Sequence, residues 1–393
     1  MSETYQPGTT QDPNPEVLAR LAERIRSFGP VPFDEFMETV LYEPGGGYYE
    51  RGAAAIGRSG DFYTASDVSS AFGQMLAEQI AECHGLLGDG SMDIVELGAG
   101  KGTLAADILS RLLGSHRTVF RRLSYWIVDR SAAMRAAQSR NLQEHSLSGK
   151  VRWAESPEAV RAGGIVGCVI ANEFYDALPV RVVARREGIL MERRVGLSED
   201  GSRLCWVEAP ANDPELIKYA TAYGLAPVDG SVAEAGLAAR SYARSVGRSV
   251  RRGFQIVIDY GDRAAVLYDP RLRPAGTLLA YHRHRTCEDP FVRVGSQDLT
   301  AHVNFSALED ASAEAGLATA GFTTQDRFLI ALGLAGRITD LSSSSEPSDI
   351  RRRLAMMALI HPEGMGGIFR VLIQAKGVAA DSLKGLQDPF ASA

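Results

Sequence analysis

Short apolar runs alternate with amphipathic segments along most of this 393-residue chain. Six runs predict the strands of one sheet: Asp93–Leu97, Trp126–Asp129, Val151–Trp153, Cys168–Ala171, Phe254–Asp259 and Phe369–Lys376. Between the runs, apolar positions recur at helical spacing, and Ser131–Leu142 is predicted as the helix after the second strand. Strands that alternate with helices are typical of a mostly parallel sheet with helices on both faces. The pattern therefore predicts an α/β fold.

The chain outside these strands follows other patterns. Residues 15–90 contain three helical segments and are predicted to form an N-terminal helical cap and lid. Residues 180–252 combine alternating strands with helices, residues 328–362 are helical, and both are predicted as insertions that offer substrate or partner surfaces. The predicted core is then residues 91–179, 253–327 and 363–378. Residues 1–14 are predicted to be a disordered tail, and residues 379–393 a second tail.

Composition excludes several classes of protein. The net charge of −6 and the pI near 5.7 give no electrostatic footprint for nucleic acid. Four cysteines stand singly, so neither a disulfide framework nor a metal site is predicted, and we expect a reducing cytoplasm. No apolar run approaches the roughly 20 residues that span a bilayer, so no membrane partner is expected. Only five of the 42 basic residues are lysine, which suggests a bacterial, GC-rich source.

A glycine loop, Glu96-Leu97-Gly98-Ala99-Gly100-Lys101-Gly102-Thr103, follows the first strand and opens a helix. A P-loop would need glycine at Val95 and a hydroxyl at Gly102, so the loop does not match a magnesium-nucleotide site. The dinucleotide fingerprint fails at Thr103, and its pyrophosphate would lie close to the carboxylate of Glu96. The acid at Glu96 suits a cationic ligand better.

This loop resembles motif I of class I S-adenosylmethionine (SAM) methyltransferases, in which glycines pass under the amino-acid moiety of a sulfonium cofactor. The resemblance implies that these residues bind SAM: Glu96, Gly98, Gly100, Gly102 and Thr103. Asp129, at the end of the second strand, presents two acceptor oxygens that suit ribose hydroxyls, or else serves only as a helix N-terminal charge. Glu155, after the third strand, is placed where the loop could reach the adenine edge, and Trp153 is either core or an adenine contact.

A polar cluster follows the fourth strand, where ligands of an open α/β sheet are bound. Asn172 and Glu173 could orient an amine or a guanidinium, and Asp176 could assist, because carboxylates match a guanidinium fork. Alternatively, Asp176 caps a turn while Phe174 and Tyr175 are packing residues. The segment Gly60–Asp67 is either a lid over the cofactor or an N-capped surface turn.

Several motifs in one order resemble the MidA family of SAM-dependent methyltransferases. They are Leu41-Tyr42-Glu43-Pro44 with Gly47-Tyr48-Tyr49, Gly60-Asp61-Phe62 with Thr64, the glycine loop, Ala171 to Val180, Ile258-Asp259-Tyr260-Gly261, Gly276-Thr277-Leu278 with Tyr281 and His284, and residues 298–305. Mitochondrial members of this family are complex I assembly factors that methylate an arginine of a complex I subunit. The resemblance implies a class I, Rossmann-like core with SAM as cofactor. It places Asp61, Thr64 and Asn172 in the cofactor pocket, and Asn172, Glu173 and Asp176 in the active site.

Three functions follow from these patterns. The first is transfer of a methyl group from SAM to an arginine of a protein. The second is methylation of a small molecule or a natural-product peptide, and the third is a non-catalytic assembly factor that binds SAM. His282, His284 and His302 could line a substrate cleft, but single histidines are more often structural. The apolar helices of the insertions also suggest a homodimer.

Overall fold

The structure is a computed structural model that describes residues 13–51, 64–88 and 90–391. The predicted site residue Asp61 lies outside these residues. The strands are β1 (Val31–Pro32), β2 (Met92–Leu97), β3 (Leu123–Val128), β4 (Val151–Ala154), β5 (Ile165–Asn172), β6 (Arg181–Arg186), β7 (Ile189–Leu197), β8 (Leu204–Pro210), β9 (Val232–Ala235), β10 (Val250–Asp262), β11 (Leu279–His282), β12 (Arg285–Cys287), β13 (Asp298–Thr300), β14 (Val303–Asn304), β15 (Ala318–Thr324) and β16 (Phe369–Lys376).

The helices are α1 (Pro15–Phe28), α2 (Phe33–Tyr42), α3 (Ala65–Val68), α4 (Ala71–Leu86), α5 (Thr103–Ser115), α6 (Arg117–Arg122), α7 (Ala132–Asn141), α8 (Gln143–Leu147), α9 (Pro214–Tyr223), α10 (Leu237–Ser249), α11 (Ala264–Leu267), α12 (Phe305–Glu314), α13 (Gln325–Ala331), α14 (Leu334–Asp340), α15 (Pro347–Leu359) and α16 (Met365–Ile368). Across the described ranges, no helix is both long and apolar enough to cross a membrane.

The main sheet has the strand order β15-β16-β10-β5-β2-β3-β4, with the short β14 beside the end of β10. The five strands β4, β3, β2, β5 and β10 run parallel, whereas β16 is antiparallel to both of its neighbours. Parallel pairing places the carboxyl ends of these five strands at one edge, where polar loops meet. The predicted α/β fold with a mostly parallel sheet is confirmed.

Helices cover both faces of this sheet, because successive strand residues point to opposite sides. Ile94 of β2 packs into a core that it shares with α4, α5, α13 and α15. Its neighbour Val95 packs into a second core, which is shared with α10 and α12. Helix α10 comes from residues 180–252, and α13 and α15 come from residues 325–359, so these segments contribute directly to the sheet's cover.

A second lobe is built from distant parts of the chain. Its antiparallel sheet has the order β1-β7-β6-β9, and β8 also pairs with β7. Helices α1 and α2 share one apolar core with β6, β7 and β13. Arg181 and Glu192 form a buried ion pair within this lobe. The lobe brings α2 to the carboxyl edge of the main sheet.

Candidate active site

A cavity of about 830 Å³ lies at the carboxyl ends of β2, β3, β4 and β5. The glycine loop, the ends of these strands and α2 of the second lobe form its walls. It collects most of the predicted site residues that the structure describes: Thr64, Glu96, Gly98, Gly100, Thr103, Asp129, Glu155, Asn172 and Glu173. The topology therefore brings residues that are far apart in sequence to one chamber.

The glycine loop reaches the cavity in a conformation that needs glycine. Gly98 has a φ of 62°, and an added Cβ would lie 2.7 Å from the ring of Phe174. Gly102 has a φ of 83° at the N-cap of α5, and an added Cβ would lie 3.1 Å from Leu142. Side chains at these positions would be strained and crowded. The loop thus leaves backbone and the start of α5 facing the chamber, with Thr103 as the first helical residue.

Glu96 is buried at the end of β2 and lines the cavity. The Tyr125 hydroxyl donates a 2.7 Å hydrogen bond to its Oε2. Burial raises the pKa of Glu96 to about 7, and the nearby charge of Asp129 acts in the same direction. A bound cation would favour the ionised form of this carboxyl group. The position suits the amino group of an amino-acid moiety.

Asp129 follows β3 and is held by two donors. Its Oδ1 accepts from the Ser131 backbone N–H at 2.9 Å, and its Oδ2 accepts from the Gln138 side chain at 2.7 Å. Gln138 also donates to the Gly100 carbonyl at 3.0 Å and accepts from the Trp153 indole at 2.9 Å. Asp129 keeps further acceptor capacity toward the cavity, which suits a diol.

Gln138 is a site residue that sequence reasoning missed. It is completely buried on α7 and ties the glycine loop to Asp129. The sequence does carry one sign of this role, because Gln138 lies on the same face of α7 as the apolar residues Met134 and Ala137. Trp153 does not line the cavity and serves as a partner of Gln138, whereas Glu155 is exposed at the cavity rim.

Thr64 lines the cavity as the N-cap of α3. Asp67 Oδ2 accepts from the Thr64 backbone N–H and from its hydroxyl, both at 3.1 Å. The next amide, that of Ala65, donates at 3.1 Å to Oε1 of Glu173. The start of α3 is therefore an N-capped turn that also contacts the polar cluster after β5.

Asn172 is the last residue of β5, Glu173 follows it, and both line the cavity. The Asn172 amide nitrogen lies 3.3 Å from Oε1 of Glu173, while its own Oδ1 has no hydrogen-bond partner among the described residues. Asn172 is only 9% exposed, and a buried carbonyl normally has a donor. Burial raises the pKa of Glu173 to about 8, with a further contribution from the charge of Asp176. The pair offers acceptors to an incoming N–H group.

Asp176 lies behind the wall, because the structure buries it and does not place it among the cavity-lining residues. Burial and the charges of Asp259 and Asp298 raise its pKa well above the usual range. Its Oδ1 has no partner among the described residues, and its carbonyl accepts from Ala301 N–H at 3.0 Å. The three predicted catalytic residues are thus neighbours, but two of them face the chamber.

Tyr42 and Tyr49 bridge the chamber from the second lobe. Their rings stack at 5.2 Å, and the Arg130 guanidinium lies 3.7 Å from the Tyr42 ring centroid. The Tyr42 hydroxyl donates to the Ala177 carbonyl at 2.7 Å, and the Tyr49 hydroxyl donates to Asp298 at 2.8 Å. These tyrosines belong to the Leu41–Tyr49 motif, whose local pattern did not predict a role in the site.

The histidines do not contribute to this chamber. His282, His284 and His302 are not among the cavity-lining residues. Burial, with the charges of Arg273 and Arg370, lowers the pKa of His302 to about 4. This ring is therefore neutral at physiological pH and stacks beside Tyr260 at 6.1 Å. The structural interpretation of His302 is favoured.

The chamber fits a SAM molecule. The glycine loop leaves room beside the start of α5, Asp129 suits the ribose, and Glu96 suits a cationic amino group. Oδ1 of Asn172, which has no partner in the ranges that the structure describes, lies in the inner wall, where a ligand donor would satisfy it. Residues 75–323 match a family model described as "Putative S-adenosyl-L-methionine-dependent methyltransferase". The chain belongs to this family of methyltransferases.

Relatives and solved structures agree with this assignment. A Burkholderia thailandensis protein solved in complex with S-adenosyl-homocysteine (SAH) is 34% identical, with a TM-score of 0.85 over 96% of this chain and 97% of that one. The Drosophila melanogaster protein arginine methyltransferase NDUFAF7 homologue, a mitochondrial protein, is 28% identical over 93% of this chain and 86% of its own length. Human NDUFAF7 is 27% identical over 91% and 83%.

The predicted MidA-type family, class I fold, SAM cofactor and methyltransferase activity are confirmed. The cytoplasmic location, the bacterial source and the homodimer stay predictions, and the named relatives are mitochondrial.

Proposed function

We propose that this methyltransferase modifies a guanidinium nitrogen of an arginine in a protein substrate. The observation that carries the proposal is the pair Asn172 and Glu173, which faces the SAM chamber. It presents a carboxyl group and a carbonyl oxygen that has no hydrogen-bond partner within the described part of the chain. A guanidinium is a planar fork of N–H donors that matches such acceptors. Two named relatives, from Drosophila and human, are protein arginine methyltransferases, which supports the same acceptor.

Charge around the chamber also supports a cationic acceptor. On the second-lobe side, α2 contributes Asp34, Glu35 and Glu38 to the lining. The basic residues Arg24 and Arg130 beside them are already paired with Glu35 and Glu38. The same pairs balance the α2 carboxylates, and Oδ1 of Asp34 lies 3.6 Å from Nε of Arg181. The acid excess comes from the rest of the described lining, which holds Asp67, Glu96, Asp129, Glu155 and Glu173 against Lys101. This excess would attract a positively charged side chain.

The residues of this chain have a simple part in the reaction. When bound, SAM supplies an electrophilic methyl group on its sulfonium. The positive charge of the bound guanidinium would favour the ionised form of Glu173. That carboxylate would bind two N–H groups of the guanidinium, and Asn172 Oδ1 would accept from a third, which fixes the reacting nitrogen. The nitrogen that gains the methyl group must lose one proton, and Glu173 would take it. The product is a methylguanidinium that still carries a single positive charge.

Methylation of a small molecule is the second candidate, because Phe174 and Tyr242 give the chamber an aromatic wall with ring centroids 4.9 Å apart. The experiment that separates the candidates uses SAM with a labelled methyl group and a cell extract, followed by acid hydrolysis of the protein fraction. Labelled methylarginine in protein is the expected result. Label confined to small molecules would overturn the protein-arginine proposal.

A matched pair of variants tests whether the chain is catalytic. Glu173→Gln should retain SAH binding by calorimetry and reduce label transfer by a factor of about 10² or more, the range of lost proton-transfer catalysis. Glu144→Gln, exposed on α8 and outside the cavity lining, should change neither. Equal label transfer by Glu173→Gln and the unmodified protein would contradict the assigned role of Glu173.

A further inference from the structure

Asp259 of β10 makes an unusual set of contacts under the polar cluster. Its Oδ2 accepts hydrogen bonds from three consecutive backbone amides, those of Phe174 at 3.2 Å, Tyr175 at 2.9 Å and Asp176 at 3.3 Å. Its Oδ1 accepts from the Tyr260 amide at 2.9 Å. The residue is 0% exposed and does not line the chamber. Consecutive amides that converge on one anion form a nest, and here the anion is a side chain of the protein itself.

The segment that Asp259 holds begins with a strained residue. Glu173 has a φ of 51°, in the left-handed region that non-glycine residues seldom occupy. Such a conformation is energetically unfavourable and persists only where neighbours enforce it. The Glu173 amide donates to the Ile258 carbonyl at 2.9 Å, one residue before Asp259. Adjacent residues of β10 therefore hold both the strained residue and the three amides that follow.

We infer that Asp259 is a positioning residue, which holds residues 173–176 so that the Glu173 carboxyl group faces the chamber. The inference rests on the proposed function only for the role of Glu173, since the hydrogen bonds from Asp259 are independent of the acceptor. Without them, the three amides would lose their acceptor in a buried place, and the backbone of Glu173 would relax toward a more common conformation.

Several ionisable groups act electrostatically with Glu173: Asp176 in its own loop, Asp67 on α3, Asp259 and Tyr260 on β10, and Tyr281 on β11. Burial and the charge of Glu173 raise the pKa of Asp259 to about 7, whereas its backbone donors favour the ionised form. Since the repulsion is mutual, ionised Asp259 favours the protonated form of Glu173. A carboxylate at position 259 therefore affects both the backbone position of Glu173 and the protonation of its carboxyl group.

The test compares Asp259→Asn with Asp93→Asn by hydrogen–deuterium exchange. Asp93 is another buried carboxylate of the main sheet, but it lies near the amino end of β2 and pairs with Arg161 at 2.9 Å. The neutral asparagine weakens charge-assisted bonds by about 1.4 kcal/mol or more, so amides 174–176 should exchange at least about tenfold faster. Amides of β2 and β5 should stay within about twofold, and Asp93→Asn should leave amides 174–176 unchanged.

Local loss of protection at residues 174–176 supports the inference, and unchanged exchange there overturns it. Equal loss of protection throughout the sheet also overturns it, because Asp259 would then be a general stability residue. If Asp259→Asn does not fold, the comparison is made in saturating SAH, which stabilises the folded state by mass action. Asp259→Glu is the second variant, and its displaced carboxylate should raise exchange at the same three amides.

The same variants separate this inference from the proposed function. Faster exchange at 174–176 with no methylarginine formed by the unmodified protein would leave the positioning role intact and remove the proposed acceptor. Normal exchange in Asp259→Asn, together with methylarginine formation by the unmodified protein, would support the proposed acceptor and remove the positioning role of Asp259. Where both hold, Asp259→Asn should lower kcat and leave the Kd for SAH within about threefold.

Discussion

The backbone N–H of Ala65 donates a 3.1 Å hydrogen bond to Oε1 of Glu173. This contact joins the start of α3 to the end of β5 across a separation of 108 residues. A protonated carboxyl group still accepts such a bond, but its hydroxyl then becomes a donor toward the chamber. The protonation of Glu173 therefore decides whether the site presents only acceptors or also a donor.

Glu173 should make the stability of the protein depend on pH. Its pKa is raised to about 8 in the folded state from 4.5, so the folded state binds this proton more tightly than the unfolded state does. Stability from this residue is thus lost as pH rises from about 4.5 through about 8. Glu173→Gln should be more stable than the unmodified protein by about 1–3 kcal/mol at pH 9, after allowance for partial exposure, and by little at pH 4.5.

Urea unfolding at the two pH values measures this difference. Glu155→Gln, exposed at the rim, serves as the control and should show no pH-dependent gain. A gain for Glu173→Gln that is the same at both pH values would contradict the raised pKa.

Gly98→Ala should weaken cofactor binding strongly, with a smaller effect on the stability of the fold. The φ of 62° and the 2.7 Å approach of a new Cβ to Phe174 force the loop to shift where the cofactor must lie. We expect SAH affinity, measured by calorimetry, to fall at least about tenfold, which corresponds to 1.4 kcal/mol.

The control is Gly114→Ala on α5, where a new Cβ meets nothing within 4 Å. It should leave SAH affinity unchanged and raise stability by about 0.5–1 kcal/mol, because alanine is the better helix former. Unchanged SAH affinity in Gly98→Ala would show that the cofactor does not depend on this turn.

Gln138→Met should weaken SAH binding without contact between Gln138 and the cofactor. The substitution keeps the side-chain volume but removes the donor to Asp129 and to the Gly100 carbonyl. An unpaired buried acceptor costs about 1–3 kcal/mol, so we expect the Kd for SAH to rise about tenfold. Ser139→Ala, exposed on the same helix, should bind SAH normally; equal affinities of the two variants would contradict the role of Gln138.

Tyr42→Phe should show how much the contact between the two lobes contributes to stability. It removes the 2.7 Å hydrogen bond to the Ala177 carbonyl but keeps the stack on Tyr49. Thermal unfolding should show a loss of about 1 kcal/mol. Tyr223→Phe is the control, since its bond to Asp310 is exposed and should contribute less than about 0.5 kcal/mol. Equal losses of stability in the two variants would mean that the hydrogen bond between the lobes stabilises the protein no more than an exposed one does.

The main sheet could be predicted because its strands are continuous apolar runs, as in Ile94–Val95 and residues 168–170, which parallel strands require when both faces are buried. Strand β15 could not, because Ala318–Thr324 contains small residues and threonines, is mostly half-exposed, and is held by its pairing with β16. Edge strands depend on such tertiary contacts more than on their own pattern.

Residues that line the chamber stand out in the sequence where their chemistry belongs to one local motif, and they do not where it arises from contacts across the fold. The glycine loop, Asp129 and the pair Asn172–Glu173 are visible as local patterns. Gln138 becomes a site residue only because α7 lies against both Asp129 and Gly100. Asp176 is buried outside the chamber lining, where its backbone amide donates to Asp259. Neither fact is encoded in neighbouring residues.

Pairing of β1 with β7 has a consequence for how a ribosome-bound chain folds. Val31 and Val195 are partners, and the core of the second lobe also needs Leu299. While the first 200 residues are being synthesised, the apolar faces of α1 and α2 have no complete core to enter. Such long-range closure is slow and leaves apolar surface exposed, so the nascent chain should engage chaperones until residue 299 has left the exit tunnel.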